Sequence, residues 1–212
     1  MSGPGLRQRK RERTRETISD TAIGLFLVHG FDSVTVAQIA AAAEVSKPTL
    51  FRYFPTKEDL LIHRFADHQG EAARVVQARR SGEAPLDALH RHYRERLAQH
   101  DPITGLCDDA EVLAFHGLVF TTPTVAARLA EFSAADVDAL AAALRDGVGT
   151  TAEDLRPRLV AAQVITAQHV LARENWAKLA GGRTADEVHP QAAADADMAF
   201  TALRQGVGSL GF

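Results

Sequence analysis

Four side chains able to donate hydrogen bonds to a nucleic acid, Lys47, Thr49, Arg52 and Tyr53, crowd into the stretch SKPTLFRYF at positions 46–54. Lysine suits the acceptor edge of guanine and threonine the methyl of thymine, whereas arginine and tyrosine donate readily to phosphate oxygens. Leu50 and Phe54, four apart, share one helix face and are expected to bury, leaving Lys47, Thr49, Phe51, Arg52 and Tyr53 on the rest of the surface. With Ser46 and Pro48 at the helix start, and with Thr35 ahead of them, these residues form the candidate DNA-contact set.

Such a set works only if short helices hold it. Thr35 with Gln38 three positions on has the spacing of a capping box, so a helix is expected over Thr35–Ala43, with Ile39, Ala40 and Ala43 on its inner face. The small side chains of Ala40–Ala43 let a second helix approach closely, and Val45 turns inward between the two. Ser46 caps that second helix, Ser46–Phe54, and Pro48 falls in its first turn, where a missing N–H costs little. A longer first helix is expected from near Arg11 to His29, with Ile18, Ala22, Leu25 and Phe26 on one face and Gly30 as its stop. Ahead of it Arg7, Arg9, Lys10, Arg11, Arg13 and Arg15 face the single acid Glu12, a cationic arm suited to phosphates or to the minor groove. Thr56 and Asp59 repeat the capping-box spacing and open a long fourth helix, from about 56 to 80, with Gly70 read as a close-packing point inside it.

The stretch GFDSVTVAQIAAAAEVSKPTLFRYFPTKEDLL, Gly30 to Leu61, resembles the N-terminal domain of the TetR family of bacterial transcriptional regulators. In that family the helix-turn-helix ends in an LYxxF pattern, which reads LFRYF here, and the resemblance extends over roughly Arg9 to Phe65. It implies an all-α chain: a three-helix DNA-binding helix-turn-helix domain over residues 1–54, then a helical effector-binding and dimerisation domain over 55–212, with helix four as the connector. It also implies that Lys57 touches phosphate. Two positions depart from the pattern. Glu44 stands where the family usually has glycine in the turn and is expected either to adopt a left-handed conformation or to shift the turn, at a cost of about 1 kcal/mol. Phe51 replaces the usual tyrosine and lacks its hydroxyl.

Charge follows the same division. Up to Arg64 there are ten Lys/Arg against seven Asp/Glu, whereas the remainder carries fourteen against twenty, so the basic end is expected to face nucleic acid. At 212 residues and 46% hydrophobic content the chain can bury a sizeable core, and one small domain plus a larger one fits better than one uniform unit. No apolar run approaches the roughly 18 residues that span a membrane, and the arginine-rich start lacks a signal-peptide core, so a cytoplasmic protein is expected. Cys107 is alone, which rules out an internal disulfide and reads as a buried hydrophobe. No metal site is expected, since His90/His92 and His63/His68 lack the i,i+4 spacing that shares a helix face. No phosphate-binding glycine loop, G-x-S-x-G elbow or HExxH pair occurs, so neither enzyme nor cofactor is expected. An enzyme built on a helical domain, or a DNA-architectural protein without an effector, are the competing classes.

After Gly82 the pattern stays helical. Pro85 opens a helix with Leu86, Leu89, Tyr93 and Leu97 at three-and-four spacing, and a shorter one follows over Asp109–Phe120. Pro123 starts another, with Val125, Leu129, Phe132, Leu140 and Leu144 inward, closed by Gly147 and Gly149. Thr151 and Asp154 cap a long helix to Ala180, and Thr184 with Glu187 caps the last, which carries Ala192, Ala196, Ala199 and Leu203. The apolar surface of the penultimate helix is too wide for one contact, and the alanines of the last permit close approach, so these two are expected to form a homodimer interface. A dimer would read two half-sites of a palindromic operator spaced by about a DNA turn or a multiple of it. Tyr93, Phe115, His116, His169 and Trp176 are the candidate lining of a pocket for a small, largely apolar effector. The expected function is a repressor released when effector binding shifts helix four.

Overall fold

The computed structural model describes residues 5–148 and 153–207, so the expected caps at Gly149 and Thr151 lie outside the described residues. Every regular element in them is helical, and the chain groups into two compact units. One takes the chain up to Asp67 together with Gly117–Leu129; the other takes His68–His116 and the chain from Ala130 onward.

In the first unit α1 (Leu6–His29) precedes the short helices α2 (Val36–Ala42) and α3 (Lys47–Tyr53), and α4 (Asp59–Ile62) follows. The helix-period apolar residues close one core: Ile18, Ala22, Phe26, Ile39, Leu50, Phe54 and Leu60 are all buried. Burial of each such side chain contributes on the order of 1.5–3 kcal/mol, enough to hold α2 and α3, which are too short to persist alone. Ser19 adds a buried tie, donating to the Leu60 carbonyl at 2.7 Å. The helix α1 begins at Leu6 rather than near Arg11, so the basic run expected to be a free arm forms its first turns. Nothing helix-breaking lies between Gly5 and Arg11, and arginine, glutamine and lysine are good helix formers.

The second unit contains α5 (Glu71–Gln77), α6 (Pro85–Ala98), α9 (Arg156–Ala180) and α10 (Ala185–Val207), with the greater parts of α7 (Ala110–Thr121) and α8 (Pro123–Val148). Leu86, Leu89, Tyr93 and Leu97 bury as their spacing requires, against Leu140, Leu144, Val160, Val164 and Phe200. Thr184 and Glu187 form the expected reciprocal cap of α10, at 3.3 and 3.0 Å.

The long fourth helix does not form. The two hydrogen bonds between Thr56 and Asp59 are made, at 3.0 and 3.2 Å, but α4 gives way to a 3-10 segment, His63–His68, and α5 starts afresh. Gly70 is the break: it adopts φ +71, and its N–H donates to the Asp136 carboxylate at 2.7 Å instead of to the preceding turn. The conformation suits glycine, and a side chain from α8 satisfies the donor that the helix gives up. A Cβ at this site would meet only the flexible tip of Arg74, 3.4 Å away. Gly70→Ala is therefore expected to cost only the left-handed penalty, about 1–2 kcal/mol, read as a lowered urea midpoint. A stabilised variant would mean that the break relaxes to continuous helix.

Candidate functional site

The helix pair is built as its sequence requires. Thr35 caps α2, its Oγ1 accepting from the Gln38 N–H at 3.3 Å while the Thr35 N–H donates to Gln38 Oε1 at 2.8 Å. Glu44 takes the turn with φ 53, the left-handed conformation that the missing glycine imposes. Ser46 caps α3 by accepting from the Thr49 N–H at 3.2 Å, and the two hydroxyls lie 2.9 Å apart. Thr35, Ser46 and Thr49 therefore spend hydrogen-bonding capacity on holding the helices at the required angle.

Leu50 and Phe54 are fully buried, and Phe54 is fixed further by the Arg15 guanidinium 5.3 Å from its ring centroid. Outward from that anchor, Lys47, Pro48, Phe51 and Arg52 are exposed, and Thr49 and Tyr53 are half-buried. Arg52 lies 5.6 Å from the Tyr53 ring centroid. These two residues share a concavity with Lys10, Arg11 and Thr14 of α1, and a second hollow beside it is lined by Arg9, Lys10, Arg13, Thr14 and Thr17. The basic turns of α1 and the end of α3 thus form one cationic surface with no carboxylate in its lining, suited to phosphate. Lys10 and Arg11 belong to the basic run that the sequence marks for phosphate; Thr14 is the addition, and its i,i+4 and i,i+3 spacing from those two residues is the signal that carries it.

Lys57 sits differently from the rest of the set. Its ammonium donates to the Phe31 carbonyl and lies 4.2 Å from the Phe31 ring centroid and 5.4 Å from that of Phe26. Burial lowers its pKa, with Asp32 and Glu58 acting in the opposite direction. In this arrangement Lys57 ties the α1–α2 turn to the start of α4.

The second unit holds a cavity of about 100 Å³ bounded by α5, α6, α8 and α9. Of the five pocket candidates, Tyr93 and His169 line it, the first buried and the second solvent-exposed. Phe115, His116 and Trp176 lie outside its lining: His116 is buried elsewhere, and the Trp176 indole N–H donates to the Leu113 carbonyl at 3.1 Å. The apolar part of the wall comes from Leu89, Ile103 and Ile165, and the polar part from residues that sequence reasoning passed over. Glu71 is its hub, accepting from His68 Nδ1 at 2.8 Å, from His92 Nε2 at 3.0 Å and from Arg96. Burial pushes the Glu71 carboxyl up, but these three hydrogen bonds outweigh it and hold the pKa far below the usual range. Arg96 also donates to Asp101 at 2.5 Å. The i,i+3 pair His68/Glu71 and the i,i+4 pair His92/Arg96 are the sequence signal that could have marked this wall. Among the described residues no cluster of three or more His, Cys, Asp or Glu could hold a metal ion. No single helix among them is long and apolar enough to cross a membrane.

Comparison with known proteins agrees with both halves of this picture. Residues 18–63, which include α2, the turn and α3, match the family model described as bacterial regulatory proteins, tetR family. Over 176 residues the chain is 35% identical to the HTH-type transcriptional regulator TcmR of Streptomyces glaucescens, covering 82% of this chain and 77% of that one. Among solved structures, NalD of Pseudomonas aeruginosa, the secondary repressor of the MexAB-OprM multidrug efflux pump, superposes with a TM-score of 0.56 at 16% identity, over 89% of this chain and 97% of its own. FadR of Thermus thermophilus, a transcriptional repressor in complex with lauroyl-CoA, does so with a TM-score of 0.53 at 25% identity, over 91% and 94%. With a full helix-turn-helix and a relative aligned through both units, the chain belongs to the TetR family of bacterial transcriptional regulators.

Proposed function

We propose that this regulator is a repressor that binds a palindromic double-stranded DNA operator as a homodimer and is released by a small effector. The observation that carries the proposal is the exposure of Lys47, Phe51 and Arg52 on α3, capped by Ser46, beside the basic turns of α1. DNA binding is assigned to residues 1–54 and effector binding with dimerisation to 55–212. Within the first part Thr35, Ser46, Lys47, Pro48, Thr49, Phe51, Arg52 and Tyr53 are the assigned contacts, with Lys57 as the support of the turn behind them. Arg52 and Tyr53 take phosphate, and Lys47 reaches base edges.

Dimerisation is assigned to α9 and α10. Leu159 and Val170, three helical turns apart on α9, are 49% and 55% exposed, Leu155 just before that helix is 61% exposed and Met198 on α10 is 66% exposed. Large apolar side chains left in water on the last two helices support a partner surface there. The cavity in the second unit supports the effector reading, as does lauroyl-CoA bound in the related repressor FadR. Operator binding places the protein's work in the cytoplasm.

The test is selection of sequences from a random DNA pool by the purified protein at near-physiological salt. An enriched palindrome is the expected result; a folded dimer that enriches nothing would leave a non-specific DNA-architectural protein. On the selected site, Arg52→Ala is expected to weaken all sequences alike and to reduce the slope of log K against log salt by about 0.9. Lys47→Ala is expected to change which base is preferred. Equal losses across all sites for Lys47→Ala would move that residue to the phosphate group.

A further inference from the structure

The cavity contains a hydroxyl with nothing to bind. Tyr93 is only 5% exposed and lines the cavity, and its Oη has no hydrogen-bond partner. Burial raises its pKa, so the group is a neutral phenol ready to donate. A buried hydroxyl left unpaired is unfavourable, and at a functional cavity the missing partner is a ligand acceptor.

The charges on the wall restrict that ligand. Arg96, the guanidinium in the lining, already donates to Glu71 and Asp101, and both histidines that face Glu71 are engaged with it. The positive charge that would capture an anion is therefore neutralised in place. Asp136 is the reverse case. One carboxylate oxygen accepts from the Gly70 N–H at 2.7 Å, and among the described residues the group has no ion-pair partner. Burial raises its pKa, and the Gly70 N–H with the more distant His169 and Arg74 offsets that only in part. With Glu71 and Arg96 paired to one another, an anionic ligand would meet the negative charge of Asp136, whereas a donor would find an open acceptor there.

We infer that the effector of this cavity is an uncharged or cationic ring-sized molecule whose acceptor takes the Tyr93 hydroxyl and whose hydroxyl or amine donor takes Asp136, and not a carboxylate or phosphate ester. Size sets an upper limit: about 100 Å³ is less than the roughly 150 Å³ that encloses benzene, so nothing larger than a single ring fits, and even that needs the wall at Gln168 and His169 to give. This inference rests on the cavity being the effector site.

Titration of the full-length protein without DNA tests it, using benzyl alcohol, benzylamine, benzoate and phenyl phosphate as probes at neutral pH. Benzyl alcohol and benzylamine are expected to bind saturably, and benzoate and phenyl phosphate at least tenfold more weakly. Tyr93→Phe is expected to weaken benzyl alcohol at least fivefold with no loss of thermal stability, because it removes only the unpaired hydroxyl. Asp136→Asn is expected to weaken benzylamine at least tenfold; if that variant does not fold, the probe series on wild type and Tyr93→Phe decides. Benzoate binding as tightly as benzyl alcohol would overturn the inference, as would probe binding indifferent to Tyr93→Phe or no saturable binding of either favoured probe. Because no DNA is present, a failure here leaves operator selection untouched. Failed operator selection alongside the expected probe ranking would sink the regulator reading and not the cavity chemistry.

Discussion

Gly105→Ala should destabilise the helical unit by about 2–5 kcal/mol, the sum of a left-handed penalty of about 1–2 kcal/mol and an overpacking cost of about 1–3 kcal/mol. Gly105 ends the 3-10 turn Pro102–Thr104 with φ +70, and a Cβ there would stand 1.9 Å from the Ala172 carbonyl oxygen and 2.7 Å from its carbon. Both obstacles are backbone, so no rotamer change relieves them; the turn or α9 must move. Neither is free to do so. Asn175 Nδ2 donates to the Thr104 carbonyl at 3.0 Å, and the Ile103 N–H donates to Asp101, which is bound in turn by Arg96. The displacement should therefore reach the cavity, since Ile103 and Arg96 both line it. Trp176 is the chain's single tryptophan and lies in α9, so its fluorescence in urea reports this unit. Gly182→Ala is the control: φ is +95 but nothing lies within 4 Å of its Cβ, so only the conformational cost of about 1–2 kcal/mol is expected. Equal midpoints for the two variants would show that the close approach at Gly105 contributes nothing.

The contrast between these glycines also marks what the sequence made legible. Several features set within about four residues are found as the sequence leads one to expect: the caps at Thr35, Ser46 and Thr184, and the burial of Leu50 beside Phe54, while Glu44 takes the left-handed one of its two expected outcomes. Those features depend on local donors and helical periodicity, which a single chain displays. The break at Gly70 depends on Asp136, sixty-six positions away, and glycine inside a helical pattern is equally compatible with packing or with a stop. Glu71 has one local partner, His68, three positions away, but His92 and Arg96 come from twenty-one and twenty-five positions along the chain, a convergence that only the packing of α5 on α6 creates. For the same reason the cavity was expected to be lined largely by aromatics, and its polar wall went unread. Lys57 was read outward from its place in a first turn, yet the rings of Phe26 and Phe31 draw its ammonium inward. Phe31 falls in the loop between two helices, where periodicity assigns no face.

Acidification should remove a comparable amount of stability through one buried side chain. His116 is 3% exposed, and burial lowers its pKa to about 4 from the ordinary value near 6.5. The unfolded chain takes up the proton first, so the folded state loses ground as pH falls from about 6.5 to about 4. At roughly 1.4 kcal/mol per pKa unit the total is about 3 kcal/mol. Above pH 6.5 the contribution is full. His68 acts oppositely: its hydrogen bond to Glu71 raises its pKa against burial, so its stabilisation is complete below about 6.5 and is lost as pH rises through the raised value. Glu71, held low, contributes fully above about 4.5 and loses its share only as pH falls further toward its depressed value. His169 reaches solvent, yet the atoms crowded round it at the cavity wall lower its pKa, partly offset by Asp136, so it adds to the acid loss with the same sign as His116. The difference between wild type and His116→Leu, not the raw curve, therefore isolates His116. Urea unfolding followed by Trp176 fluorescence at pH 7, 5.5 and 4.5 should give a wild-type stability that falls faster than that of His116→Leu. Parallel curves would mean that His116 is already protonated, or already solvated, in the folded protein. The sign matters for the regulator itself, because both units carry an acid loss: His63, whose ring lies 5.5 Å from that of Phe54 beneath the capped helix pair, is also lowered by burial, so the His116→Leu comparison separates the loss in the helical unit from that in the DNA-binding one.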